Sequence, residues 1–101
     1  MMDNIIALEE LYPDWKTGNP MIYRKMGENN HYDHIKTVEQ SCCVFIPYNS
    51  IAIGAAYSGH IDLVLYCISK GINEFKTLIF IAEETKNENL KNILQQIRDD
   101  I

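Results

Sequence analysis

A weak internal repeat constrains this chain more than any other feature. The segments "DHIKTV" and "GHIDLV" pair His34 with His60 and Val38 with Val64, each pair 26 residues apart. The same step carries Ala56 to Ala82, Val64 to Leu90, Cys67 to Ile93 and Ile68 to Leu94. Self-similarity at a short fixed period marks a chain built of small units that cannot bury their apolar stripes alone and must stack on their neighbours. Three units in one register within 101 residues predict a short solenoid, since about three repeats are the minimum for stability.

Between the repeated positions the apolar residues recur with a helical period. Asp3 suits the cap of a first helix with Ile5, Leu8 and Tyr12 on one face, and Pro13 ends it. "PDWKTGNP" reads as a loop. Pro20 opens a second helix, "PMIYRKM", which Gly27 and the polar "ENN" are expected to stop. A third helix, "DHIKTVEQSCC", buries Ile35, Val38 and Cys42 before "VFIPYN" interrupts the period and Pro47 sets a turn. In "SIAIGAAYS" Ser50 is the expected cap, and Ala52, Ala55 and Ala56 form a face small enough for close approach of another helix. "HIDLVLYCISK" puts Ile61, Val64, Cys67 and Ile68 together, with Gly71 placed for a left-handed C-terminal cap. The last pair, "FKTLIFIAEET" and "NENLKNILQQI", turns Leu90, Ile93, Leu94 and Ile97 inward and a strongly polar face outward, as a terminal capping unit requires. No segment alternates with a period of two, so the expected fold class is all-α. The chain divides into a single domain over 1–101: an N-terminal helix and loop over 1–20, a degenerate unit over 21–49, the best unit over 50–73 and a capping unit over 74–101.

The stretch "SIAIGAAYSGHIDLVLYCISKGIN" resembles the core of an ankyrin repeat, through "AAxxGHxxxVxxxxxxG" to Gly71. The flanking units are degenerate: one has Thr85-Lys86 for the Gly-His pair, and the other keeps His34 and Val38 without the paired alanines. An ankyrin unit has about 33 residues, so a spacing of 26 leaves only "GINEF" between units and no room for the β-hairpin fingers. "SIAI" also replaces the usual Thr-Pro-Leu-His turn. In this the chain is similar to the short, divergent, hairpin-poor ankyrin proteins of large DNA viruses and some protists. The resemblance implies protein–protein recognition without catalysis; the lack of a signal peptide or spanning run places the chain in the cytoplasm, which would be the host's if the chain is viral. It also implies a groove formed by the first helix of each unit. Tyr57 and Ser58 would line it with Glu83 and Glu84, beside the turn residues Tyr48, Asn49, Glu74 and Lys76.

Charge narrows the partner. The chain carries nine Lys and Arg against fourteen Asp and Glu, for a formal charge of -5, and its basic residues are scattered singly. The electrostatic term that drives nucleic-acid binding is therefore missing. An acidic balance favours a basic or mixed-charge protein partner, with the chain itself a monomer or a weak homo-oligomer. The N-terminus carries Asp3, Glu9 and Glu10 where a signal peptide needs basic residues, and no apolar run reaches spanning length, so no membrane is expected.

The residues able to do chemistry are few. Three cysteines, Cys42, Cys43 and Cys67, lack framework spacing and read as reduced thiols. His31, His34, Cys42 and Cys43 offer soft-metal ligands, and a small zinc-binding or redox-sensitive module is the alternative reading. Yet at 1.5 Å per residue the cysteines lie about 12 Å along the helix from the histidines, too far for one helix to close a tetrahedron. A structural fragment of an ankyrin array that self-associates is the third reading. His60 has no serine, cysteine or carboxylate spaced as a dyad partner and is expected to hold backbone in the turn between helices. No cofactor is expected, because phosphate loops and dinucleotide fingerprints are absent.

Overall fold

The structure, a computed structural model, describes residues 2–41 and 44–100, with side chains described from residue 5 onward in the first helix. The side chain of Asp3, on which the expected cap depends, is not among those described, and Cys42, expected to be buried, lies outside the described residues. All regular structure among these residues is helical: α1 (Met2–Leu11), a single 3-10 turn (Trp15–Thr17), α2 (Pro20–Glu28), α3 (Tyr32–Ser41), α4 (Tyr48–Tyr57), α5 (Ile61–Ser69), α6 (Phe75–Glu84) and α7 (Glu88–Asp100). The helices form two layers. In the inner one α4 lies between α2 and α6. In the outer one α3, α5 and α7 each pack on the inner helix before them, and α1 packs on α3. The result is elongated, 41 × 24 × 20 Å, as stacked helix pairs require.

The repeated element is the turn within each pair. Asn30, Gly59 and Lys86 all adopt left-handed backbone, with φ of 56°, 77° and 59°. The amide that follows each one bonds back to the inner helix: His31 to the Met26 carbonyl at 2.9 Å, His60 to Ala55 at 2.8 Å and Asn87 to Ala82 at 2.8 Å. A second bond closes each motif, from the left-handed residue itself to Gly27, Ala56 and Glu83 at 3.1, 3.2 and 3.1 Å. This is a Schellman ending, three times over.

The bonds correct the register expected from the sequence. His31, not His34, is equivalent to His60, at 29 residues, and Ala55, not Ala56, is equivalent to Ala82, at 27 residues. In the third unit Lys86 and Asn87 stand for the Gly-His pair, one residue later than expected. The units thus differ in length because the connections between them differ, while the turn inside each is constant.

Two further expectations change. Ser50 does not cap α4, which starts at Tyr48 directly after Pro47. Gly27 does not stop α2 but lies buried inside it. There it meets α4 backbone to backbone: a Cβ on Gly27 would strike the Ile51 carbonyl and lie 3.0 Å from the Ala55 amide. Reciprocally, a Cβ on Gly54 would strike the Arg24 carbonyl and lie 3.0 Å from the Glu28 amide. Only hydrogen on both Cα atoms lets helices approach this far. The flanking Ala52, Ala55 and Ala56 are fully buried, so the small-residue face does receive another helix.

Elsewhere the expected punctuation holds. Asn19 accepts the Met21 amide at 2.9 Å with Pro20 in the first turn of α2, and Gly71 follows α5 with φ 99°. Leu90 and Leu94 are fully buried in α7, with Ile93 and Ile97 half-buried beside them.

Gly27→Ala and Gly54→Ala are each expected to destabilise by about 1–3 kcal/mol through overpacking, although alanine is the better helix former by about 1 kcal/mol. Urea unfolding measures this, and a stability equal to wild type in either variant would refute the crossing. Lys86→Gly is expected to act oppositely, stabilising by up to about 1 kcal/mol by relieving a left-handed residue that carries a Cβ. The same assay reads that gain.

Candidate interaction surface

Each inner helix turns one stripe away from the outer layer. On α6, burial of Phe75, Leu78, Ile79, Ile81 and Ala82 leaves Lys76, Thr77, Phe80, Glu83 and Glu84 in solvent. On α4 the corresponding residues are exposed Asn49 and Tyr57 with half-buried Ile53, and on α2 they are exposed Met21 and Lys25 with half-buried Arg24 and Glu28. The turn register sets Arg24, Ile53 and Phe80 in one row and Glu28, Tyr57 and Glu84 in the next. The Arg24 guanidinium lies 5.2 Å from the centre of the Tyr57 ring and 3.7 Å from the Glu28 carboxylate. The two rows therefore adjoin. Tyr57 is 45% exposed and Phe80 57%, so the face carries two aromatic rings rimmed by charges of both signs.

Asn49, Tyr57, Lys76 and Glu84 share this face, and Ser58 follows at the end of α4. Glu83 points toward α7, where the Lys91 ammonium meets it at 3.6 Å, and Glu74 is exposed just before α6. Tyr48 is held from behind: its hydroxyl donates to the Glu39 carboxylate at 2.5 Å. Phe80, Ile53 and Arg24 went unremarked in the sequence. The signal for Phe80 was there, an aromatic residue off the buried stripe of its helix.

Glu39 is the hub of a polar cluster in the outer layer. Its carboxylate also accepts from the Tyr66 hydroxyl at 2.6 Å and meets Lys36 at 3.3 Å and Lys70 at 3.7 Å. The Lys70 ammonium also faces the Tyr66 and Tyr48 rings at 5.1 and 6.0 Å. The cluster joins α3, the start of α4, and α5. Partial burial alone would raise the Glu39 carboxyl, but donation from Tyr48, Tyr66 and Lys36 and the charge of Lys70 outweigh it and hold the group below its usual range. Burial, and then the bond to the same carboxylate, pushes the Tyr48 phenol strongly upward. A carboxylate this fully occupied by donors positions helices rather than acting as a free base.

The histidines are likewise engaged. His60 Nε2 donates to the Glu28 carbonyl at 2.9 Å, a bond from one unit to the turn of the unit before it. His31 Nδ1 lies 2.7 Å from the Tyr12 hydroxyl, and the His31 and His34 rings are 4.8 Å apart. Among the described residues no group of three His, Cys, Asp or Glu side chains gathers as metal ligands, and Cys42 and Cys43 lie outside those residues. The Cys67 thiol is fully buried and pushed up to about 12, first by burial and then by the charge of Glu39, which keeps it protonated. A concavity of about 710 Å³ lies at the start of α4, between residues 44–50 and 70–73, where exposed Phe45 lines it with Ile46, Ile72 and Lys70. Among the described residues no helix is long and apolar enough to cross a membrane.

Compared with known protein families, curated proteins and solved structures, the chain finds no match.

The Glu39 hub makes stability pH-dependent with a definite sign. Its folded-state carboxyl is depressed, so its contribution is complete above about pH 4.5, the ordinary value, and is lost as pH falls below it. Glu39→Gln is expected to cost about 1–3 kcal/mol at neutral pH and to flatten the acid limb of the urea midpoint against pH. An acid limb of unchanged slope in that variant would contradict the assignment.

Proposed function

We propose that the chain is a non-catalytic protein-recognition module of the ankyrin kind, which binds its partner on the free face of α2, α4 and α6. The observation that carries the proposal is the exposure of Tyr57 and Phe80 in adjoining rows of that face. Aromatic residues and arginine are the side chains from which interface hot spots are most often made. Arg24, in the row of Phe80, reaches across to the Tyr57 ring and orders it, which lowers the entropy cost of docking against it.

The rim favours a basic or mixed-charge partner. Glu28 and Glu84 lie toward the turn end of the face, with Glu83 beside it turned to α7, and Lys25 and Lys76 interrupt the acidic field, so like-charged acidic partners are disfavoured. The hub at Glu39 supports the reading from behind, because it fixes the start of α4 relative to α3 and α5. By the ankyrin resemblance, a viral source would make the partner a host regulatory or signalling protein met in the cytoplasm.

Affinity capture from a matched cell extract, run with wild type, Tyr57→Ala and Phe80→Ala side by side, tests the face. Loss of a hot-spot aromatic costs about 2 kcal/mol or more, which is about thirtyfold in affinity. Both variants should lose the same captured protein while unfolding at the wild-type urea midpoint. Equal recovery by all three would show that the face is not the binding surface.

A further inference from the structure

We propose that a cavity between the starts of α3 and α5 is a binding site for a quaternary ammonium group. The inference is independent of the recognition reading, because the walls belong to the outer helices α3 and α5 and to the turn before α3, not to the face that carries Tyr57 and Phe80. The cavity measures about 370 Å³ and is lined by Asn30, Tyr32, Asp62, Leu63 and Tyr66. Its two phenol rings stand nearly perpendicular, at 81°, with their centres 4.9 Å apart. Rings set in this way wall a corner, the arrangement that surrounds an organic cation with the negative faces of π systems.

The corner is built before any ligand arrives. The Tyr66 hydroxyl donates to the Glu39 carboxylate at 2.6 Å, and Tyr32, 40% exposed, rests against the Tyr66 ring. Lys36 approaches the pair at the hydroxyl end, where it donates to the Tyr66 oxygen at 3.4 Å and meets Glu39 at 3.3 Å, and it takes no part in the cavity wall. Its ammonium lies 5.9 and 5.4 Å from the two ring centres, so the pair already keeps one cation beside it. Asp62 supplies the wall with a carboxylate that is exposed and forms no ion pair among the described residues. Asp62 and Asp33 also lie in the first turns of α5 and α3, where they offset the positive helix starts.

The chemistry of the wall selects a methylated cation over a bare one. A bare ammonium brings three N–H donors, each of which needs an acceptor, and the two rings and Leu63 offer none. A trimethylammonium group has no N–H to satisfy. Its methyls pack on the rings and Leu63 while Asp62 balances its charge through space. A second concavity, of about 320 Å³, adjoins the first, sharing Asn30 and Asp62 and continuing past Gly59 and His60. A cation carried on a peptide side chain, as in trimethyllysine, finds room there for its backbone, whereas a free choline-type cation uses the first cavity alone.

NMR titration of the intact chain with choline tests the site, beside choline's uncharged analogue in which a tert-butyl group replaces the trimethylammonium. Choline should shift the resonances of Tyr32, Leu63 and Tyr66 and bind about fivefold or more tightly than the neutral analogue. Tyr32→Leu keeps an apolar side chain without the π face and should bring the two probes to equal affinity, and Asp62→Asn should weaken choline alone. Both residues are exposed, so both variants are expected to stay folded, which the urea midpoint checks. An acetylated trimethyllysine amide assigns the source of the cation. Tighter binding than choline, with shifts spreading to Gly59 and His60, supports a modified peptide, and binding equal to choline supports a small free cation. Equal affinity of wild type for choline and the neutral analogue overturns the proposal. So does undiminished choline binding in Tyr32→Leu, or the absence of shifts at these residues with both cations.

Discussion

The contact on which the rest of the fold depends is the backbone crossing of α2 and α4 at Gly27 and Gly54. A single Cβ on either side would meet a carbonyl of the other helix, so the spacing of the first two units is set by main chain rather than by side-chain packing. This explains the composition of α4. A helix pressed on one side against bare backbone and on the others against α5 and α6 has little use for large side chains, and Ala52, Ala55 and Ala56 are fully buried as a result. The crossing also places the turn after α2 within reach of the next unit. Only then does the Glu28 carbonyl lie 2.9 Å from His60 Nε2.

Stacked units couple to their nearest neighbours, and here the coupling uses a different chemistry at each seam. The residue that follows the left-handed turn position is His31, His60 or Asn87. The first meets the Tyr12 hydroxyl, the second donates to the Glu28 carbonyl, and the third accepts the Leu90 amide at 3.1 Å, capping its own helix. Moving toward the C-terminus, the same position changes from a side-chain bond between units to a bond within one helix. The α1 seam is therefore joined by a bond between a phenol and an imidazole, and the α6–α7 pair is closed by its own cap and by the apolar contacts of Leu90 and Leu94.

Much of the helical layout was legible because it rests on local rules. Pro20 in the first turn of α2 and Gly71 after α5 need only φ preferences to be placed, and the apolar stripes of α5 and α7 need only a period of 3.6 residues. Gly27 was misread for the same reason. In a single sequence a glycine before "ENN" satisfies the rule for a helix end, and only a partner helix reveals that its missing Cβ is a contact. The register slipped because "DHIKTV" matches "GHIDLV" in apolar residues, whereas the structure aligns the units by backbone hydrogen bonds, which tolerate Asn30, Gly59 or Lys86. Of the candidate surface, Tyr57 was visible as an aromatic after paired alanines. Tyr48 looked equally free, because nothing local announces a bond to Glu39, nine residues away and on another helix.

The two aromatic sets divide the labour of the molecule. Tyr48 of the inner layer and Tyr66 of the outer layer have their hydroxyls spent on one carboxylate and their rings beside Lys70, so they tie the two layers together and add stiffness. Tyr57 and Phe80 have no such anchor below them and project from helices whose backbones the glycine crossing and the hub hold in place. A surface side chain costs least to immobilise on binding when the helix beneath it is already rigid and the ring has only two torsions to lose. Under the recognition reading proposed above, rigidity behind the inner layer is what would make its exposed rings usable. At the N-terminal end, α1 is joined to the stack by the fully buried Leu8, by the buried Tyr12 ring and by the bond between the Tyr12 hydroxyl and His31.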